Sequence, residues 1–178
     1  WDAGDGPHCP RPCAGAAAYA SLPTDIVVMT PTGRLVVTGP DVVASLTGED
    51  VTLAELGGPD THAEQAGTVH VLATDEPDAF AATRALVGLL AAAGETISDV
   101  VDQPLPRAGE RRDVVRALVD ADTWVELQAG WATALVTGLG RLGGRTVGVL
   151  ANDPGHTSGW LDADATDKAA GFVGLCER

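Results

Sequence analysis

A chain of 178 residues with 45% hydrophobic side chains can bury a core as one ordinary domain or as two small lobes, which excludes general disorder. Its formal net charge of -14 excludes a long nucleic-acid or anionic-membrane surface, since both need a dense basic footprint to release counterions. A phosphate-bearing small ligand stays open, because a few backbone amides and one or two arginines suffice for it.

The apolar residues are mainly Ala, Val and Leu, and 22 glycines beside 4% aromatics predict close backbone packing in an α/β layering. Cys9, Cys13 and Cys176 form no disulfide framework, and no charged-then-apolar leader or membrane-length apolar run stands in the sequence. A reducing, cytoplasmic setting is the expectation. Trp1 without an initiator Met, and Arg178 directly after a helical pattern, read as cuts, so a piece of a longer protein is expected.

In chain order, residues 1–12 mix Gly, Pro, Asp and His without periodicity and predict an irregular leader. Ala14 to Ala20 predicts a short buried helix closed by Pro23. Ile26–Met29 and Leu35–Val37 read as apolar strands around the turn Pro31-Thr32-Gly33. Pro40 and Asp41 open a helix through Leu46, and Thr52 with Glu55 has capping-box spacing, ended by Gly57-Gly58-Pro59. Val69–Leu72 predicts a strand, and 76–93 a helix with Phe80, Ala81, Leu86, Val87 and Leu90 inward.

Residues 94–110, with Pro104 and Pro106, lose periodicity and predict a linker between two lobes. Beyond it, 111–119 predicts a helix and Trp124–Leu127 a strand. A β-hairpin is expected about Leu142-Gly143-Gly144-Arg145, and a last helix from Asp164 to Cys176 with Ala169, Ala170, Phe172, Val173 and Cys176 on or near its buried side.

Several blocks together resemble the carboxyltransferase (β) subunits of biotin-dependent acyl-CoA carboxylases of the propionyl-CoA and acetyl-CoA type. They are Pro12-Cys13-Ala14-Gly15-Ala16-Ala17-Ala18-Tyr19, Val37-Thr38-Gly39-Pro40-Asp41, Thr47-Gly48-Glu49-Asp50-Val51-Thr52, Glu55-Leu56-Gly57-Gly58 and Thr61-His62. Gly143 to Pro154, Gly159-Trp160-Leu161-Asp162 and Asp167 to Phe172 continue the likeness. Ala16 stands where that family usually has its second glycine, Asp153 where glutamine is usual, and Gly171 and Gly174 where arginines are usual.

The resemblance implies an α/β, ClpP/crotonase-like ββα spiral, present as a partial N-lobe plus the start of a C-lobe. Residues 13–93 would be the C-terminal part of the N-lobe, 94–110 the linker, and 111–178 the start of the C-lobe. It implies transfer of a carboxyl group from carboxybiotin, carried on a partner protein, to an acyl-CoA through a thioester enolate. A biotin carboxylase or biotin carrier subunit and a homo-oligomer are the implied partners. The N-lobe oxyanion site maps to Gly15 and Ala16, with Cys13, Ala14 and Ala17 about the substrate, and Asn152 and Pro154 on the biotin and interface side.

Such a reaction needs preorganised donors where charge develops on oxygen. Beside the catalytic reading of Gly15 and Ala16 stands that of a structural helix start, and beside the interface reading of Asn152 and Pro154 a turn-forming Asn-Asp-Pro. His62 reads as a capping or hydrogen-bonding residue, with proton transfer as its alternative. His8, Cys9 and Cys13 fall short of a metal site, and Asp162, Asp164 and Asp167 read as solvated carboxylates at a helix start. Arg111, Arg112 and Arg145 read as salt-bridge partners before CoA-phosphate ligands. An inactive remnant or assembly module, and a biotin-independent hydratase, isomerase or decarboxylase, are the rival functions.

Overall fold

Short strands and helices alternate through the computed structural model, which describes residues 8–9, 12–21, 23–91, 111–156 and 160–178. The chain divides into two units, Trp1–Thr83 and Arg84–Arg178. In chain order the first holds β1 (His8–Cys9), β2 (Pro12–Ala14), α1 (Ala16–Ser21), β3 (Val28–Met29), β4 (Arg34–Val36), α2 (Pro40–Thr47), α3 (Leu53–Gly57), a π-helix (Thr61–Gln65) and β5 (Val71–Leu72). Helix α4 (Glu76–Ala91) begins in this unit and ends in the next.

Among the described residues of the first unit every pairing is parallel: β3 lies between β1 and β5, and β2 pairs β4. Val27, Val28 and Met29 are buried, as a fully apolar strand in a covered parallel sheet must be. Ala18, Val27, Met29, Leu35, Ala63 and Val69 form one cluster, with half-buried Cys13 packed against it. Two short strands fall within the expected leader, because their partners, β3 and β4, lie far along the chain; residues 1–7, 10 and 11 are outside the described set.

The helix expected from Ala14 starts at Ala16, since Ala14 is held in β2 opposite Val36. Helix α2 opens with Pro40 in its first turn and stops at left-handed Gly48. The Thr52 hydroxyl accepts from the Glu55 amide, and the Glu55 carboxylate accepts from the Thr52 amide, completing the predicted capping box. In α4 the inward residues are Ala79, Leu86 and Leu89, whereas Phe80, Val87 and Leu90 are about half exposed and Ala81 is exposed. An Ala-rich helix carries more than one apolar stripe, so its sequence pattern alone does not select the buried one.

The second unit continues with α5 (Arg111–Leu118), β6 (Val125–Leu127), β7 (Leu135–Leu142), β8 (Arg145–Asn152) and α6 (Ala163–Cys176). Strands β6, β7 and β8 form an antiparallel sheet in that order. Gly143 and Gly144 have φ of 59° and 81°, the left-handed pair that a two-residue hairpin turn demands, and the Asp120 carboxylate accepts both amides. Helix α6 comes down on the sheet at Gly148, where a Cβ would lie 2.5 Å from Cys176 Sγ and 3.1 Å from Phe172 Cζ. The Leu89 carbonyl near the end of α4 accepts from Thr146, and that of Gly88 from Arg141. The linker expected at 94–110 lies outside the described residues, and the division between units falls ahead of it, inside α4.

Among the described residues no helix is long and apolar enough to cross a membrane.

A Cβ at Gly57 would collide with Leu35 O and Val36 Cγ1, whereas at Gly171 it meets nothing within 4 Å. Gly57→Ala is therefore expected to lower unfolding free energy by about 1–3 kcal/mol. Gly171→Ala, in an exposed helix interior, is expected to raise it by about 0.5–1 kcal/mol. Urea midpoints that move in these opposite directions check both.

Candidate active site

At the β2–α1 junction the chain turns from a strand into a helix within one residue. Cys13 and Ala14 are paired with Leu35 and Val36, and Gly15 then takes φ +63°, a left-handed conformation favouring glycine. The Gly15 amide donates to Val36 O at 3.0 Å, extending the ladder, and its carbonyl accepts from Tyr19 at 3.2 Å, closing the first helical turn. Ala16 is not left-handed, so its methyl group imposes no backbone strain. First-turn amides have no partner within a helix, and among the described residues those of Ala16 and Ala17 have no backbone acceptor.

The predicted site residues separate by what they face. Ala16 and Ala17 are exposed on α1 and Ala14 is exposed at the end of β2, while Ala18 is wholly buried. Cys13 faces the core cluster, with Sγ 3.9 Å from Ser21 Oγ. Gly15 sits at the turn with its amide engaged, so the amides of Ala16 and Ala17 are among the donors at this junction without a backbone acceptor among the described residues.

Strand β4 anchors this turn and is itself held from the far side. His62, in the π-helix, sets Nε2 2.7 Å from Leu35 O and Nδ1 2.6 Å from Thr68 Oγ1. A carbonyl only accepts, so Nε2 carries the proton and, in the neutral ring, Nδ1 accepts from Thr68. The hydrogen-bonding role expected of His62 is the observed one. The π-helix itself is held by Thr61 Oγ1, which donates to Glu55 O at 2.8 Å. His70 accepts the Val27 amide on Nδ1 at 3.1 Å, and burial pushes its pKa below the ordinary value, with Asp25 opposing.

The second unit contains a group that the sequence pattern conceals. Lys168 of α6 is 1% exposed and donates to the carbonyls of Gln128, Trp131 and Leu135 at 2.8, 2.8 and 2.7 Å. Three acceptors match the three protons of an ammonium. Burial pushes its pKa down to about 8, with Glu126 opposing and Arg112 reinforcing. Of the residues expected on the buried side of α6, Phe172 is buried and Ala169 half-buried, while Ala170, Val173 and Cys176 are exposed. Lys168 lies four residues before Phe172 and shares its face, the one signal available in the sequence.

Arg112 Nε meets Glu126 at 2.7 Å, Nη2 meets Ala129 O at 3.2 Å, and Nη1 lies 3.6 Å from Asp153. The salt-bridge expectation therefore holds for Arg112; Arg145 is exposed, and Arg111 Nε is buried without a partner among the described residues. Asp153 also accepts the Gly155 amide at 3.1 Å and gives its own amide to Ala134 O at 2.8 Å. That fixes the turn between exposed Asn152, the last residue of β8, and exposed Pro154. Asp162 caps α6 by accepting the Ala165 amide at 2.8 Å, and Asp164 lies exposed in its first turn. Among the described residues, no three His, Cys, Asp or Glu side chains gather as metal ligands.

Residues 10–178 match the family model described as the carboxyl transferase domain, and this chain belongs to that family. It is 50% identical over 176 residues to the biotin-dependent acetyl-/propionyl-coenzyme A carboxylase beta6 subunit of Mycobacterium bovis, covering 92% of this chain and 37% of that protein. The propionyl-CoA carboxylase beta chain of Rhodococcus erythropolis is 43% identical over 178 residues, again at 92% and 37% coverage. Among solved structures, the transcarboxylase 12S hexamer with methylmalonyl-coenzyme A bound superposes with a TM-score of 0.80 at 37% identity, over 93% of this chain and 35% of that one. The fold is thus the α/β, crotonase-like fold of carboxyltransferases. The chain spans little more than a third of the length of these relatives.

Between pH 8 and 10.5 the unfolded chain retains a Lys168 proton that the folded chain has released, so stability rises with pH across that window. Lys168→Met is expected to lack this rise, as urea unfolding at the two ends of the window would record. Arg112→Met leaves Glu126 and Asp153 mostly buried and without their cation, and is expected to cost about 3 kcal/mol, read from the same denaturation curves.

Proposed function

We propose that this chain supplies part of the carboxyltransferase component of an acyl-CoA carboxylase, which moves a carboxyl group from carboxybiotin to the α-carbon of an acyl-CoA. The observation that carries the proposal is the β2–α1 turn of a carboxyltransferase-family chain, with left-handed Gly15 followed by amides that have no backbone acceptor among the described residues. On this reading the acyl-CoA thioester oxygen lies against the N–H of Ala16, with Ala17 beside it, and negative charge on that oxygen in the enolate is stabilised by donors already in place. Gly15 provides the turn that aims them, Ala14 and Ala17 are small neighbours that admit the acyl group, and Cys13 seats the turn on the core.

Carboxybiotin, carried by a biotin carboxylase or biotin carrier partner, supplies the carboxyl group. Asn152 and Pro154 are assigned to the surface that meets it or a second subunit; exposure of both, on a turn pinned by Asp153, suits a contact surface better than a closed pocket. Residues 13–93 are assigned to the N-lobe, 94–110 to the linker and 111–178 to the start of the C-lobe, with cytoplasmic location and homo-oligomeric assembly. The relatives named above, carboxylase β subunits and a hexamer with a bound CoA ester, support this reading.

Ala16→Gly, made in the full-length protein that carries this chain, changes propionyl-CoA turnover if this amide binds the oxyanion; an unaltered rate removes Ala16 from the mechanism. Calorimetric titration with propionyl-CoA and longer acyl-CoA esters is expected to give heat, and none with any of them favours the inactive remnant.

A further inference from the structure

Two motifs of the family resemblance, Glu55-Leu56-Gly57-Gly58 and Thr61-His62, have no part in the chemistry above, yet both converge on β4. Successive carbonyls of a strand point to opposite edges. Val36 O faces β2 and takes the Gly15 amide at 3.0 Å. Leu35 O faces the other edge, where no strand pairs among the described residues. There the His62 Nε2–H donates to it at 2.7 Å, and the absence of a side chain at Gly57 lets α3 lie directly against the same carbonyl. Thr68 fixes the ring from its opposite nitrogen, and the capping box and the Thr61–Glu55 bond fix the backbone that carries it.

We infer that His62 is a positioning residue of the oxyanion turn: by holding the free edge of β4 it fixes Val36 O, and through Val36 O the Gly15 turn and the Ala16 amide. The inference rests on the proposed thioester site. His62 is kept from the substrate by its two bonds and acts only through the strand, and a donor displaced by about 1 Å loses on the order of a hundredfold in rate.

The test uses propionyl-CoA labelled with carbon-13 at the thioester carbonyl, bound to the full-length protein that carries this chain, with isotope-edited infrared spectroscopy and steady-state kinetics. In the wild type, binding lowers the carbonyl stretching frequency. His62→Ala is expected to abolish most of that lowering and to reduce kcat about a hundredfold with KM nearly unchanged. His62→Gln, whose amide N–H can still reach Leu35 O, restores part of both, and Thr68→Val, which leaves the Leu35 bond but frees the ring, falls between. A wild-type carbonyl frequency in His62→Ala overturns the positioning role and leaves the thioester site standing. If His62→Ala does not fold, wild-type frequencies in both His62→Gln and Thr68→Val overturn it equally. No frequency change in the wild type overturns the thioester site and, with it, this inference.

Discussion

The hydrogen bond from the Gly15 amide to Val36 O is the contact on which the candidate site depends. It holds the chain to β4 as far as Gly15, whose left-handed φ then turns it out of β2 and into α1. The bond is only as fixed as β4, a three-residue strand with a single neighbouring strand among the described residues. So short an edge is weakly specified by backbone pairing alone. Burial of Leu35 and Val36, the close approach of α3 at Gly57, and the His62 ring supply the remaining constraint.

A different solution to the same problem organises the second unit. The segment before β7 contains two non-glycine residues in left-handed conformation, Gln128 at φ 54° and Ala132 at φ 45°, each costing about 1–2 kcal/mol. Lys168 gathers the carbonyls of this segment, and charge-assisted bonds of that kind are stronger than neutral ones. Arg112 and Glu126 act on it, and Asp153 pairs with Arg112, so these two cations and two anions balance although the chain carries -14 overall. The acidic excess resides elsewhere, consistent with solvated carboxylates such as Asp164 and Asp167 on α6.

Local chemistry was legible wherever one segment carries its own constraint. The Thr52–Glu55 capping box, Pro40 at the start of α2 and the Gly143-Gly144 hairpin turn satisfy their hydrogen bonds or φ requirements within a few residues, and the structure reproduces each. The motif Cys13 to Ala17 led to the β2–α1 turn, although the pattern suggested a helix already at Ala14. Composition misled where partners are remote: the buried stripe of α4 and the inward face of α6 depend on what they pack against, and a lysine among alanines gives no sign of three waiting carbonyls.

Residue type and spacing within single stretches of chain were enough for the family, the alternation of short strands and helices, the caps and turns, and the glycine at which the candidate site bends. Packing of remote segments was needed to show that the Gly15 amide is engaged while those of Ala16 and Ala17 have no backbone acceptor among the described residues, that His62 holds Leu35 O, and that Lys168 is interior. Those facts depend on hydrogen-bond partners 21, 27 and 33 to 40 positions away, and packing, not local propensity, selects partners at such separations.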